Sequence, residues 1–390
     1  MRPAIRVFNE QVRAVPIGGR GEMSYNRSSA KALIVPIIQL LVLLLAAPSA
    51  HAQQSAQPRP AVPIDPVPAI IDAFQTHSVV AITDAHGVEQ AQAFLISLVR
   101  DRRFTDTVND IVVEFGSARY QNVMDRFVSG EDVPYETLRK VWQDTTQATA
   151  GNEAPINEEF FRAVRAANAL LPPARRLRVL LGDPPIEWER VRTKEDHRTW
   201  IEMREWYPAA VLQLEVLAKG RRALLVYGNG HLQRRNVMSN YEMTDRRTHS
   251  IVSVLEHATG TRVFVIWRIG GGEKIQPDIA SWPAPRLAMV RGTVLGAADF
   301  AEYSPGSRFA IRNGEVVPLP QSEWRVVRAE EQIDAVLYLG PQSSFTESKL
   351  SRARCADQAY IDMRLKRIAL AGLPPAETDA LKRHCASIVK

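Results

Sequence analysis

Two histidines and three carboxylates stand directly after short apolar runs. Ser78–Thr83 leads into Asp84-Ala-His86-Gly87, and Asp110-Ile-Val-Val runs into Glu114. Arg176–Leu181 is followed by Gly182-Asp183-Pro-Pro, and Ala223–Tyr227 by Gly228-Asn-Gly-His231. Imidazoles and carboxylates gathered in one place support two kinds of chemistry. They can ligate a divalent metal ion, with Asp84, His86, Glu114, Asp183 and His231 as the donors. They can equally form an acid/base pair that activates water without a metal. His86 lies near the start of the next helical pattern, where the helix dipole favours the neutral imidazole that a base or a ligand needs. Taken singly, each residue has an ordinary reading: Asp84 as a helix cap, Glu114 as the partner of an arginine, Asp183 as turn chemistry before two prolines, a histidine as packing. The coincidence across four run ends favours a site.

For these residues to meet, the runs that carry them must lie side by side and point the same way. Short, fully apolar runs bounded by glycine read as buried strands of a parallel sheet. Helical patterns separate them: Val88 to Arg100, Arg119–Ser129, Pro134–Thr145, Pro155–Leu171, a long helix Glu195–Lys219 kinked near Pro208, and Arg246–Thr259. Arg262–Trp267 is a fifth strand and Ile333–Leu339 a last one. The alternation predicts an α/β fold, a mostly parallel central sheet with helices on both faces. Ligands of such sheets sit outside the carboxyl ends of the strands. Residues 273–332 read as a loop-rich cover, and Gly270-Gly-Gly272 as a turn, since no Gly-Lys-Ser/Thr follows.

Composition bounds the rest. Of 390 residues, 45% are hydrophobic and 24% charged, with a net charge of +6; these are ordinary globular values. Basic residues come in pairs such as Arg175-Arg176 and Arg221-Arg222, with no continuous stripe, so a nucleic-acid partner is not expected. Lys31 followed by the apolar stretch Ala32–Ala47 and by Ala50-His-Ala52 has the layout of a signal peptide, 1–52, cleaved after Ala52, with Met23 as an alternative start. The apolar run is short for a membrane span, and no stable membrane anchor is expected after cleavage. The expected location is secreted or periplasmic. Residues 53–65, rich in Gln, Pro and Ala, read as a disordered linker, 66–340 as the α/β domain, and 341–390 as a terminal helical hairpin. The two cysteines, Cys355 and Cys385, fall in that hairpin, and an even pair in an exported chain predicts a disulfide.

Thr83-Asp-Ala-His86 before an amphipathic helix, then Val112-Val-Glu114, then Gly228-Asn-Gly-His231, resembles the superfamily joining erythromycin esterase-like hydrolases, ChaN-like haem-uptake proteins and TIKI/TraB-type proteins. Arg204-Glu-Trp-Tyr-Pro-Ala209 is similar to a helix of the esterase-like branch, and the resemblance covers about Ser78 to Trp267. Thr83 replaces the family's glycine and Asp84 its glutamate, which retracts the carboxylate by about 1.5 Å. The resemblance implies an exported hydrolase that cleaves an ester or amide of a small molecule or peptide with activated water. His86, Glu114, His231 and Arg204 would be its catalytic residues, with a divalent metal as an optional cofactor. Two alternatives stand beside it. One is a periplasmic haem- or metal-binding protein without catalysis, with Tyr207 and Tyr227 as the nearby candidate haem ligands. The other is an interaction protein on a degenerate site, motivated by Thr83 and Asp84.

Overall fold

The computed structural model describes residues 57–389 except 85, 235–248, 271–276, 305–308, 313–314 and 325. The signal-peptide reading of 1–52 lies outside the described residues. Among the described residues nine strands form: β1 Val79–Asp84, β2 Asp110–Ser117, β3 Arg178–Asp183, β4 Ala223–Gly228, β5 Phe264–Ile269, β6 Arg286–Met289, β7 Phe309–Arg312, β8 Glu315–Pro318 and β9 Ala335–Tyr338. Seven make one sheet in the order β3-β2-β4-β1-β5-β9-β6, and β7 pairs with β8 as a separate ribbon. All pairings in the large sheet are parallel except that of β6 with β9. The expected mostly parallel α/β architecture is the one observed.

The strands are apolar on both sides because both sides are covered. Val80, Ile82, Ile111, Val113, Leu224 and Val226 face one core, with the helices Glu89–Arg100, Gln121–Ser129 and Pro155–Ala169 packed over them. Their alternates Val79, Ala81, Val112, Ala223 and Leu225 face a second core closed by Leu212, Val216 and the helix Ile251–Thr259. The two-residue period of a strand thus sorts one sequence run into two cores. β4 enters the sheet between β2 and β1, two strands made earlier in the chain. The carboxyl ends of β2, β4 and β1 become immediate neighbours there.

Three elements differ from expectation. The helix expected over Glu195–Lys219 is interrupted: Lys194–Ile201 ends, a turn follows, and a new helix begins at Trp206 and passes through a π-helical turn, Leu212–Val216. The break precedes Pro208, which sits in the first turn of the second helix, where its missing N–H costs nothing. Glu114 lies within β2 and not at its end, since the strand runs on to Ser117 past an irregularity in its pairing with β3. The linker expected over 53–65 is held in place from Gln57 onward. Arg59 bridges to Thr293, and Ile64 exchanges hydrogen bonds of 2.8 and 3.0 Å with Leu287 of β6. Composition carries no trace of those backbone bonds.

The C-terminal segment has a short helix, Arg352–Ala356, before two longer ones, Gln358–Ala371 and Pro375–Val389. The disulfide Cys355–Cys385 joins the short helix to the last. Arg364 anchors the middle helix: it is 1% exposed, ion-pairs with Glu153 and donates to the Gln143 carbonyl at 2.7 Å. Arg367 reaches Asp144 at 2.6 Å. Closing a loop of 30 residues is worth about 3.6 kcal/mol in the chain-entropy picture. Cys385→Ser is therefore expected to raise hydrogen exchange across Pro375–Val389 by one to two orders of magnitude. Unchanged exchange there would show that the bridge constrains nothing.

Candidate active site

Glu114 is the centre of the cluster. It is 1% exposed. Its Oε2 accepts the Gly228 N–H at 2.7 Å, and its Oε1 is ion-paired with Arg204. Both histidines turn toward the same Oε1, His86 Nε2 at 3.7 Å and His231 Nε2 at 3.5 Å. Three basic groups thus converge on one carboxylate oxygen. β1 and β4 bring this about by register: Asp84 pairs with Gly228, so the segments carrying His86 and His231 leave the sheet side by side.

Each histidine has its own carboxylate behind it. Asp84 Oδ2 lies 3.3 Å from His86 Nδ1, and Asp84 Oδ1 accepts from Gln92 Nε2 at 3.1 Å. Asp84, a short carboxylate, thus reaches its histidine. Glu205 Oε1 lies 2.5 Å from His231 Nδ1. Thr83 also has a place: its hydroxyl accepts the Arg268 N–H at 2.7 Å and fastens the end of β1 to β5. Asp183 stands farther out, with Oδ1 3.9 Å from Arg204 Nε. Both its oxygens take hydrogens from Thr146, at 2.7 Å from the backbone N–H and 2.5 Å from the hydroxyl.

The charges follow from these contacts. Burial opposes ionisation of Glu114, yet the positive charges of His231, Arg204 and His86 hold its carboxyl far below the usual range. Burial likewise disfavours the His231 imidazolium, but the charges of Glu205 and Glu114 push its pKa up to about 10. Burial also pulls His86 down, and here the hydrogen bond to Asp84 and the charges of Glu114 and Asp84 outweigh both that and Arg204, so its pKa is raised. The lowering expected from a helix dipole is outweighed by these carboxylates. His86 stays a third exposed (35%), and His231 is covered (17%). Asp183 goes the other way: burial pushes its carboxyl up to about 7, against the pull of Arg204 and the Thr146 hydrogen bonds.

His231 makes stability depend on pH. Its folded pKa, about 10, exceeds the ordinary 6.5, so the native state holds the proton more tightly than the unfolded chain. The stabilisation is complete below pH 6.5 and is lost as pH rises toward 10, at up to ~1.4 kcal/mol per pH unit. Urea melts from pH 6 to 10 are expected to show this decline, and His231→Gln to flatten it. Equal slopes in both proteins would mean His231 is not the group that titrates.

The donors predicted for a metal are otherwise engaged. Among the described residues, no group of three or more His, Cys, Asp or Glu is placed to hold a metal ion. Arg204 and the Gly228 N–H occupy the Glu114 oxygens, Thr146 occupies Asp183, and His231 carries a proton on the ring. A guanidinium stands where a cation would be bound, so the residues do not fit a divalent metal. Of the two tyrosines weighed as haem ligands, Tyr227 is buried and Tyr207 half-buried. Tyr227 is 1% exposed and its phenol is held well above its ordinary value by burial, and burial pushes Tyr207 up to about 12.

Sequence reasoning brought His86, Glu114, His231, Arg204 and Asp84 to one place, and the structure places all five together. It missed Glu205, Gln92 and Thr146. Glu205 had a visible signal, a second charge beside Arg204 at a helix break; Gln92 and Thr146 had none. Several polar atoms around the cluster have no hydrogen-bond partner: Glu205 Oε2, Trp206 Nε1, the Tyr227 hydroxyl and Asn229 Oδ1.

No family model matches the chain, and no curated protein matches it. Among solved structures, it is similar to a Bacillus cereus protein (11% identity, TM-score 0.45, 75% of this chain and 96% of that one). It is also similar to a succinoglycan biosynthesis protein (11%, 0.48, 75% and 96%). A third is ChaN of Campylobacter jejuni, whose structure describes cofacial haem binding (11%, 0.31, 53% and 87%). Likenesses this distant bear on neither activity nor ligand.

Proposed function

We propose that the protein is an exported hydrolase that cleaves an ester or amide bond with water activated by His86, without a metal. The observation that carries this reading is the convergence on Gly228. A methyl group added there would stand 3.2 Å from Glu114 Oε2, 3.4 Å from His86 Nε2 and 3.7 Å from His231 Cδ2. Only glycine leaves the space over that floor open, and the space faces one base and one imidazolium.

In this reading Asp84 orients the His86 ring through Nδ1 and leaves Nε2 as the base. A water oxygen forms a bond to the acyl carbon while its proton passes to His86 Nε2. The carbon–oxygen or carbon–nitrogen bond then breaks, and the leaving group takes that proton from His86. The negative charge that develops on the acyl oxygen is balanced by the His231 imidazolium and by Arg204. Glu114 holds both cations in place and is not itself consumed. Export rests on the signal-like 1–52 and agrees with the Cys355–Cys385 bridge. Among the described residues no helix is long and apolar enough to cross a membrane.

The test is a panel of p-nitrophenyl esters and anilides with the mature protein after exhaustive chelation. Turnover is expected to survive the chelator. An inert panel would sink the hydrolase reading, and turnover that needs an added divalent ion would sink the metal-free mechanism.

A further inference from the structure

We propose that the strap 342–348, which leads into the C-terminal helices, is a positioning part of the site: it holds the turn that carries His86 and caps the helix that follows, with Gln90 and Ser348 as the positioning residues. The role of His86 as a base rests on the hydrolase reading above.

His86 stands beyond Asp84, the last residue of β1, so no sheet ladder fixes the backbone around it. The next helix, Glu89–Arg100, begins without a cap of its own: its N-cap residue is Val88, which offers no side-chain acceptor. The first N–H groups of a helix need acceptors from outside it, and the strap supplies one. The Thr346 carbonyl accepts the Glu89 N–H at 2.9 Å, and Val88 and Glu347 form an antiparallel bridge. The Ser348 N–H donates to the Gly87 carbonyl at 2.7 Å. Gly87 takes φ +74°, and a Cβ there would stand 3.1 Å from the Ser348 carbonyl, so glycine lets turn and strap lie this close.

Two side chains lock the contact. Gln90 uses both ends of its amide: Oε1 accepts the Thr346 N–H at 3.0 Å, and Nε2 donates to the Ser344 carbonyl at 3.0 Å. Ser348 is used twice, since its hydroxyl also accepts the Ile156 N–H at 3.3 Å. That N–H lies in the first turn of Pro155–Ala169, whose N-cap residue Ala154 again has no side-chain acceptor. One serine thus ties the His86 turn to the start of a second uncapped helix, 192 residues away in sequence. A further tie runs through Phe345, whose ring lies 5.2 Å from the Arg268 guanidinium; the Arg268 N–H is the one that holds the Thr83 hydroxyl. Most residues of the strap are exposed, so it gains little by burial. Its contribution is donors and acceptors aimed at the turn.

The experiment compares three variants with the wild type. Gln90→Leu removes the amide bonds and alters only a side chain, so it stands in should Ser348→Pro, which removes both Ser348 bonds, fail to fold. Ser348→Thr keeps the N–H and the hydroxyl and is expected to behave as wild type. The first readout needs no turnover. In the two disruptive variants, hydrogen exchange over 86–92 and 344–348 should rise about tenfold while β1 stays protected, and the His86 Cε1–H resonance should shift. The second is kcat for p-nitrophenyl acetate, expected to fall about tenfold with KM unchanged, as for a displaced catalytic group. Unchanged exchange would show that the strap holds nothing. Faster exchange with an unmoved His86 resonance and unaltered kcat would make it a structural tie and overturn the positioning role. An inert wild type would sink the hydrolase reading, and the His86 resonance would then decide the strap by itself.

Discussion

His86→Ala is expected to slow ester hydrolysis by about 10²- to 10⁴-fold with KM little changed, the usual contribution of a positioned general base. The base acts only when neutral. Its pKa is raised by Asp84 and Glu114 against the effect of burial, so the acid limb of the kcat profile should lie above pH 6.5. The alkaline limb should follow the loss of the His231 proton near pH 10. The wild-type profile is thus a bell displaced to the alkaline side. Asp84→Asn removes the main support of the raised pKa and should shift the acid limb downward while lowering kcat. A His86→Ala protein that hydrolyses within threefold of wild type would dismiss His86 as the base.

Glu114→Gln is expected to destabilise the protein by roughly 3–5 kcal/mol, because it removes one partner from a buried charge cluster and leaves the others uncompensated. Glutamine keeps an acceptor for the Gly228 N–H, so the loss isolates charge from hydrogen bonding. The exposed group is Arg204, 17% accessible and then facing His231 and His86 without the intervening anion. The His231 pKa should fall from about 10 in the same variant, followed by the imidazole resonances in an NMR titration. A urea midpoint within 1 kcal/mol of wild type would mean the carboxylate is not the charge that holds the cluster. If the midpoint falls while the His231 pKa does not, the two cations are held separately.

The sheet and the site were legible for the same reason. Apolar runs of five or six residues between glycines have few options other than buried parallel strands, and His86, Asp183 and His231 follow such runs at once. Residues that act across the fold were harder to read. Glu205 shows as a second charge beside Arg204, but it lies in a turn whose position no proline marks, and Thr146 carries no sequence sign of its hydrogen bonds to Asp183. The charges were the least legible. The nearby helix start suggests a lowered His86 pKa, and only the distances to Asp84 and Glu114 reverse that direction. The same distances turn a set of five metal donors into a set of ion pairs, because Arg204, distant in sequence, fills the centre.

Placing β4 between β2 and β1 has a consequence for how the protein reaches its active form. β1 and β2, though early in the chain, never pair with each other. Until Ala223–Gly228 inserts between them, each presents an open edge, and His86 and Glu114 have no floor to meet over. Parallel, non-local pairing of this kind forms late and slowly, and open edges recruit other chains. A fragment ending before β4 keeps the β2–β3 side of the cluster, Glu114 with Arg204 and Asp183, but lacks the floor over which the histidines reach it. The two histidines and Glu114 come together with the insertion of a single strand, and until then two strand edges stay open to other chains.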